Sequence, residues 1–451
     1  MSFFYFFNRV NRYLCIITLK QTNNLKINIM KNYKHIKTAA IIVLTILLSI
    51  TTAISQTNDN FINIKGKVVD NKTKKNIVFV TVTVEGTNIG TVTNTDGEFT
   101  INIKKGSGSK TISFKYIGYK NKYVKISLLT DKDNIITLSP TSVSIEEVVV
   151  RPENPRELIE RVIAKIPENY SKSSNKMMAF YRETIKKRNR YVSILEAVVE
   201  VYKAQYNETN QRDLVKLYKG RKSSNVKSQD TLIMKLRGGP KTALLLDIAK
   251  NPDMLFYKEN LNNYKFEIDE IVTINDKQNY VINFTQVKDF DYPLFNGKLY
   301  VDIESLAISA AEFSLNLENQ DAASSLFVKK KPLFMSIKPV VTKYFVKYTE
   351  NKGKYYFSHA RGEVTFKCKW QKKLFKSKYT VMTEIAITDR TDKNAIKFSW
   401  KDRLKSGIVF EEKVRPVQDS DFWGKYNTIK PEESIENAIK KYGVKLKIQN
   451  N

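Results

Sequence analysis

From residue 64 to residue 138 short apolar runs alternate with polar ones, and turn chemistry interrupts them about every eight to twelve residues, the spacing of a small β-sandwich. The central stretch reads FVTVTVEGTNIGTVTNTDGEFTINI, followed by ISFKYIGYKNKYVKI. Asp96-Gly97 predicts a hairpin turn, because Gly tolerates positive φ beside an Asp that bonds the local backbone. Gly86 and Gly90 bracket another reversal. Ile117-Gly118-Tyr119 puts a Gly inside an apparent strand, which predicts a bulge or close packing. Phe79, Phe99, Phe114, Tyr116 and Tyr119 are the expected core mass.

The period changes after a linker over 141–155, which contains Arg151-Pro152-Glu153-Asn154-Pro155. Asn154 is placed to cap a helix, Pro155 suits its first position, and Glu157 can bond back to the cap. Leu158, Ile159, Val162, Ile163 and Ile166 then form one apolar stripe at helical spacing, which Pro167 is expected to end. From residue 176 the alternation returns in seven long runs, with turns at Asn275-Asp276-Lys277 and Asn351-Lys352-Gly353. The pattern predicts a broad, curved antiparallel sheet with one polar face. Two more helices are expected. Pro240 to Lys250 would turn Leu244, Leu245 and Ile248 inward, and Pro431 to Tyr442 would turn Ile435, Ala438 and Ile439 inward with Gly443 as C-cap. The predicted fold class is therefore mainly β: an immunoglobulin- or transthyretin-like sandwich over 60–140, then a larger curved β domain with a few helices over 156–445.

Residues 30–55 read as a secretory signal peptide. Lys31, Lys34 and Lys37 precede an apolar run from Thr38 to Ile54, and Ser55 and Gln56 flank the expected cleavage point. An uncleaved anchor is the alternative, and no Cys stands at the cleavage point to suggest lipoprotein processing. Residues 1–29 fit no such leader and are read as an extension upstream of the true start at Met30. Removing residues 1–55, which hold seven basic and no acidic residues, leaves 69 Lys and Arg against 46 Asp and Glu, a net charge of +23. Such a charge favours anionic partners, although a solvated Lys-rich surface explains it as well. Export argues against nucleic acid. Cys368 is the one cysteine left, so stability must come from cores rather than cross-links.

The sandwich segment resembles the carboxypeptidase-regulatory-like domain of Bacteroidetes envelope proteins. The resemblance rests on Gly66-Lys67-Val68-Val69-Asp70, Gly86-Thr87-Asn88-Ile89-Gly90-Thr91, Thr95-Asp96-Gly97-Glu98-Phe99 and Ile117-Gly118-Tyr119. Asn76-Ile77-Val78 departs from it where the family often has a Pro-containing turn. Ile145 to Val150 resembles the strand that commonly follows. A second resemblance, carried by Tyr280, Phe284, Phe295, Gly297, Tyr300, Val301 and Asp302 and by Asp421-Phe422-Trp423-Gly424-Lys425-Tyr426-Asn427, is to a family of unknown function. Its layout is similar to lipoprotein-carrier half-barrels. Some relatives continue into an outer-membrane barrel, for which the residues before Asn451 leave too little length.

The family name suggests a peptidase, but the residues do not supply one. His359 is the single histidine beyond the leader, whereas a zinc peptidase needs two His and a carboxylate. No HExxH, GxSxG elbow or phosphate loop is present. A His359–Cys368 dyad lacks an orienting third group. Asp289 with Asp291, and Asp419 with Asp421, are the nearest carboxylate pairs for glycosidase chemistry, in turn-like contexts where Asp usually caps backbone. No catalytic, cofactor-binding or metal-binding residue is therefore assigned, and Gly66, Asp70, Gly86, Gly90, Asp96, Gly97, Phe99, Gly118 and Tyr119 are read as structural. The expected function is a non-enzymatic, exported envelope protein, periplasmic or associated with the outer membrane, that binds an envelope protein, glycan or lipid. A lipid or lipoprotein carrier whose cavity is lined by aromatics such as Tyr280, Phe284, Tyr300, Tyr344, Tyr355 and Phe357 is the second reading, and a carboxylate-dependent glycan hydrolase the third.

Overall fold

The β-formers after residue 60 fold into seven strands: β1 (Phe61–Asp70), β2 (Thr81–Val84), β3 (Gly90–Val92), β4 (Glu98–Lys104), β5 (Thr111–Lys115), β6 (Lys122–Lys125) and β7 (Asn134–Leu138). They make a three-stranded sheet, β4-β1-β7, and a four-stranded sheet, β3-β2-β5-β6. Between the sheets Val68, Val82, Phe99, Ile101, Ile112 and Phe114 are buried, each contributing about 1.5–3 kcal/mol by leaving water. Phe99 and Phe114 meet edge to face with ring centres 5.3 Å apart. The description comes from a computed structural model and covers residues 60–439 except 142–153, 209–210, 225–234, 237–238, 257, 288–291, 331–332, 372–375, 392–394, 406–407, 417–421 and 434. The leader with Ser55 and Gln56, the strand expected over 145–150, both glycosidase-type Asp pairs and Gly443 lie outside the described residues.

Three local expectations for the sandwich change. The Asp96-Gly97 turn exists, with Gly97 at φ +73°, but it is not a hairpin. It carries the chain from β3 in one sheet to β4 in the other. The Asn94 side chain closes it by accepting from the Asp96 and Glu98 amides at 2.9 and 2.8 Å, so no strand ladder is needed. Gly118 sits in a turn after β5 at φ +75°, where a Cβ would meet nothing within 4 Å. Its requirement is the left-handed backbone, not close packing. Close approach is found instead at Gly66, where a Cβ would lie 2.4 Å from the Asn134 carbonyl oxygen and 2.9 Å from the Phe99 ring. Phe79, at φ +58°, leaves the sandwich core and stacks on Phe345 of the second sheet, with centroids 6.0 Å apart.

That second sheet comprises β8 (Asn175–Lys187), β9 (Arg190–Lys203), β10 (Leu214–Ser224), β12 (Tyr264–Ile274), β13 (Lys277–Gln286), β14 (Phe295–Asp302), β15 (Ile308–Leu315), β17 (Met335–Asn351), β18 (Lys354–Trp370), β19 (Ser377–Thr391) and β20 (Arg415–Pro416). Their order is β12-β13-β14-β15-β17-β18-β19-β8-β9-β10-β20, and the sheet is open. All neighbours are antiparallel except β10 and β20. β11 (Lys235–Leu236) and β16 (Val328–Lys330) pair separately. Asn275 and Asp276 (φ +54° and +61°), and Lys352 and Gly353 (+53° and +75°), make the two-residue hairpin turns that both sequences predict. β10 escaped the sequence pattern because its register shifts between Leu217 and Lys219, which breaks the period of two.

One face of this sheet is apolar and covered by helices. Asn154 caps α1 (Pro155–Asn169) as expected, and Leu158, Ile159, Val162 and Ile166 pack onto Tyr181, Leu195, Val199, Val346 and Ile385. Pro167 does not end the helix, which continues to Asn169; near a C-terminus its missing N–H costs one bond only. The helix expected over 240–250 is shorter. α2 (Pro240–Leu244) gives way to turns, α3 (Asp253–Phe256) follows, and Leu245 is 54% exposed rather than inward. Asp247 explains the break: its buried carboxylate accepts from the Tyr206 and Tyr348 hydroxyls at 2.8 Å each, which pulls the chain inward. α4 (Gln320–Phe327) precedes β16. Residues 433 and 435–439 are also helical, and Ile435 is buried on Tyr191 and Ile194.

Gly66→Ala is expected to lower the stability of the chain by about 2 kcal/mol through overpacking. Guanidinium denaturation checks this, and an unchanged midpoint would refute the close-approach account.

Candidate binding cleft

The polar face expected from the alternation is present, but it is buried rather than solvated. The sandwich and residues 422–439 lie across it. Arg182 is fully buried there and bonds Glu196 at 3.0 Å through Nε, while Arg221 reaches the other Glu196 oxygen at 2.8 Å. Arg182 also donates to the Ile429 carbonyl at 2.6 Å, tying the sheet to the chain's later segment. Burial raises the Glu196 carboxyl, but the two guanidinium groups outweigh it and hold the group below its usual value. Beside it, His359 Nε2 lies 3.0 Å from Glu384, and Arg361 reaches the same carboxylate at 3.4 Å. Burial opposes ionisation of Glu384 too, yet Arg361 and His359 bring it down to about 2.

On the apolar face a second charged group is satisfied in the same way. Lys203 is fully buried and bonds Asp213 and Asp247 at 2.5 Å each. Lys347 differs. It is buried under the sandwich, its ammonium reaches the Lys115 carbonyl at 3.2 Å, and no ion pair to it is found among the described residues. Desolvation, with a smaller push from Lys115, lowers its pKa to about 7.

At the rim of the junction the β2–β3 hairpin and the β17–β18 hairpin frame a polar cleft of about 340 Å³. The hairpin places Asn88 by a tight local fold: Gly86 takes φ +75° and the Thr87 hydroxyl donates to the Val84 carbonyl at 2.7 Å. The Asn88 amide donates to the Arg390 carbonyl at 2.8 Å and accepts from the Arg390 guanidinium at 3.0 Å. It also accepts from Asn351 at 3.1 Å. Arg390 lies over the Tyr356 ring, 3.4 Å from its centroid. Glu85 pairs with Lys115 at 3.3 Å. Thr83, Glu350 and Lys352 complete the walls. The Thr81 hydroxyl is buried in this lining with no hydrogen-bond partner, a state that costs about 1–3 kcal/mol unless something satisfies it. A larger cavity of about 410 Å³ lies near Gln286, Asn316 and Lys338, but its polar groups bond one another, as in Asn316 to Gln286 and Lys338 to Asp321.

The residues quoted for the family resemblance are found at structural positions. Asp70 accepts from the Lys72 and Thr73 amides and from the Tyr119 hydroxyl at 2.8, 2.6 and 2.8 Å, so two motif segments meet in one interaction. The Thr73 amide and then Tyr119 hold its carboxyl at about 2. Asp96 accepts from the Glu433 amide at 3.0 Å, a capping role that its own neighbourhood did not suggest. Gly90 lies where a Cβ would come 2.9 Å from the Val82 carbonyl oxygen, and Phe99 is in the core. His359 and Cys368 share β18 at an odd separation, which turns them to opposite faces. Cys368 packs with Met335, Ile337 and Phe366, and burial pushes its thiol up to about 12. Of the aromatics expected to line a carrier cavity, Tyr280, Phe284, Tyr355 and Phe357 are in the filled core under the helices. Tyr344 packs at its margin, and Tyr300 is on the other face against Val281 and Ala310. The cleft was not read from the sequence: Asn88 lies in the quoted Gly86 to Thr91 motif, but its partner Arg390 stands 302 positions away and in no motif.

Residues 64–150 match the family model of the CarboxypepD_reg-like domain. No curated protein matches the chain. Among solved structures, the chain is similar to a Vibrio parahaemolyticus domain described as outer membrane lipoprotein-sorting, with 10% identity over 54% of this chain and 94% of that one at a TM-score of 0.22. A DUF1329 family protein from Desulfovibrio piger gives 11% identity, 54% and 95% coverage and a TM-score of 0.26. MucB gives 10%, 51% and 92% with a TM-score of 0.17. At these TM-scores the likeness transfers no residue's role to this chain.

Two consequences follow from the buried charges. Glu196→Gln leaves two guanidinium groups facing a neutral amide and should cost about 3–5 kcal/mol in thermal or chemical unfolding. Lys347 favours its neutral form when folded, so the unfolded chain binds more protons between about pH 7 and the ordinary lysine value of 10.5. Stability should therefore rise with pH across that window, by up to about 1.4 kcal/mol per unit, and level off below pH 7. Lys347→Met should remove this slope and raise stability at pH 7; an unaltered pH profile in the variant would refute it.

Proposed function

We propose that the chain is an exported cell-envelope binding protein, in which the regulatory-like sandwich and the large sheet together hold a polar, hydroxyl-rich ligand of the glycan class. The buried, unpartnered Thr81 hydroxyl in the cleft lining carries this reading. A buried hydroxyl without a partner is costly, and Thr81 lies in the wall of a space framed by Glu85, Glu350, Lys115 and Arg390, which offer both donors and acceptors. Polar groups converging at the boundary between two substructures are the usual setting of a small-ligand site. The sandwich supplies half of the lining and is held rigidly by the charged face beneath it, so it works as a docking element rather than a free appendage.

The carrier reading has less support, because four of the aromatics expected to surround an acyl chain, Tyr280, Phe284, Tyr355 and Phe357, belong to the same buried core as the apolar stripe of α1. The carboxylate pairs named for a hydrolase, Asp289 with Asp291 and Asp419 with Asp421, lie outside the described residues, and the charged groups at the junction are engaged with one another. The signal-like leader and the match of residues 64–150 to the CarboxypepD_reg-like domain support the proposed envelope location.

Thr81→Val separates binding from folding. Removing an unsatisfied hydroxyl should leave the melting temperature unchanged or slightly higher, while affinity for envelope polysaccharide fragments, measured by calorimetry, should fall about tenfold, the worth of one good hydrogen bond to a ligand. Equal affinity in variant and parent would remove the cleft from consideration. Turnover of those fragments by residues 56–451 would replace binding with hydrolysis.

A further inference from the structure

One end of the large sheet gathers positive charge. The β8–β9 turn, the approach to β17 and the β18–β19 connection meet there. Lys187 pairs with Arg190, Tyr379 with Lys187, Cys368 with Ser377 and Met335 with Trp370. Two loop bonds tighten the group, Arg188 to the Lys378 carbonyl at 2.8 Å and Gln371 to the Phe334 carbonyl at 3.0 Å. Along the sequence, residues 184–195 hold four Lys or Arg, residues 326–338 four and residues 364–382 six, and none of the three segments contains an Asp or Glu. Lys367, Lys369, Lys376 and Lys378 are exposed. The nearest carboxylates are engaged: Asp321 pairs with Lys338 at 3.2 Å, and Glu432 is buried against the Tyr191 hydroxyl. Glu433 and Glu436 on the helix beside Tyr191 leave the basic excess intact.

The same end carries exposed apolar side chains. Leu333 is 93% and Phe334 59% exposed, in the turn that leads into β17. Large apolar groups this open to water, set beside an excess of lysines, combine two signals for one kind of surface. The lysines answer to negative charge at a distance, and the apolar pair answers to an interior it can enter. A soluble polyanion would satisfy the first and leave the second without a use. A protein partner would be expected to bring carboxylates and a shaped pocket, whereas a bilayer asks for no pocket.

We propose that this end of the sheet docks on an anionic lipid surface, with Lys367, Lys369, Lys376 and Lys378 over the headgroups and Leu333 and Phe334 entering the acyl boundary. Docking there leaves the cleft free, since the cleft is framed by the β17–β18 hairpin turn, at the opposite end of those strands from Met335 and Trp370.

Vesicle co-sedimentation tests this with residues 56–451, which hold the whole compact unit from Phe61 onward and lack the apolar leader. Binding is expected to vesicles of phosphatidylglycerol and phosphatidylcholine but not of phosphatidylcholine alone, and to weaken as salt is raised. Lys367→Glu/Lys369→Glu/Lys376→Glu should reduce it at least tenfold, given a contribution of about fivefold per lysine near such a surface. Leu333→Ser/Phe334→Ser, at exposed positions that do not support the fold, should reduce it severalfold with the melting temperature unchanged. Absence of binding, or equal binding to neutral vesicles, overturns the proposal. So does binding to dextran sulfate that is as tight as to vesicles while vesicle binding ignores the Leu333→Ser/Phe334→Ser change, because the surface would then be a site for soluble acidic glycan.

Discussion

Ionised groups taken out of water need oppositely charged partners, and on the covered face of the large sheet this requirement joins three parts of the chain. Glu196 is held between Arg182 and Arg221, Arg182 also reaches the Ile429 carbonyl, and Glu384 is shared by His359 and Arg361. Removing one member leaves an uncompensated charge in a low-dielectric site, which is far more costly than the pair is stabilising. The sandwich and the segment after residue 422 are therefore not decorations on the sheet. They are the cover that lets its charged side chains be buried, and Phe79 belongs to it, stacked on Phe345 and tilted against the His359 ring.

The other face shows what the same sheet does where apolar side chains dominate and Lys203 is paired with Asp213 and Asp247 among them. There the strands present Tyr, Val, Leu and Ile to α1 and the turns after α2, and the side chains fill the space. A half-barrel layout suggests a hollow for an apolar guest, but hollowness is a property of packing and not of strand order. Among the described residues Tyr280, Phe284, Tyr355 and Phe357 belong to the buried core of that face, and an open polar volume lies at the rim of the charged junction, where Asn88, Arg390 and Asn351 stitch one hairpin to the other. Binding in that cleft and docking by the basic end would use opposite ends of the same strands, so one rigid sheet can serve both.

Much of the fold was readable along the chain. Alternation gave the strands, Asn154-Pro155 gave the start of α1, and the paired turn residues at 275–276 and 352–353 gave two hairpins with their positive φ values. The misreadings have local physical causes. Leu245 was placed inward because its stripe looked helical, but Asp247 accepts from two tyrosines and breaks the helix. Gly118 was read as a packing glycine, but it serves a left-handed turn whose amide donates to the Thr273 carbonyl at 2.9 Å. β10 was missed because a bulge shifts its period.

The sequence by itself determined the elements, the sandwich motif and the sign of the surface, since these depend on short-range periodicity, turn chemistry and composition. It also announced a polar face. Tertiary structure alone decided that this face is buried, that Asp70 and Tyr119 meet, that Asn88 faces Arg390, and that three basic segments share one end of a sheet. The reason is separation: each of these joins residues tens to hundreds of positions apart, and the energy that brings them together, pairing buried charge and filling apolar space, belongs to the assembled contact and to no local stretch of chain.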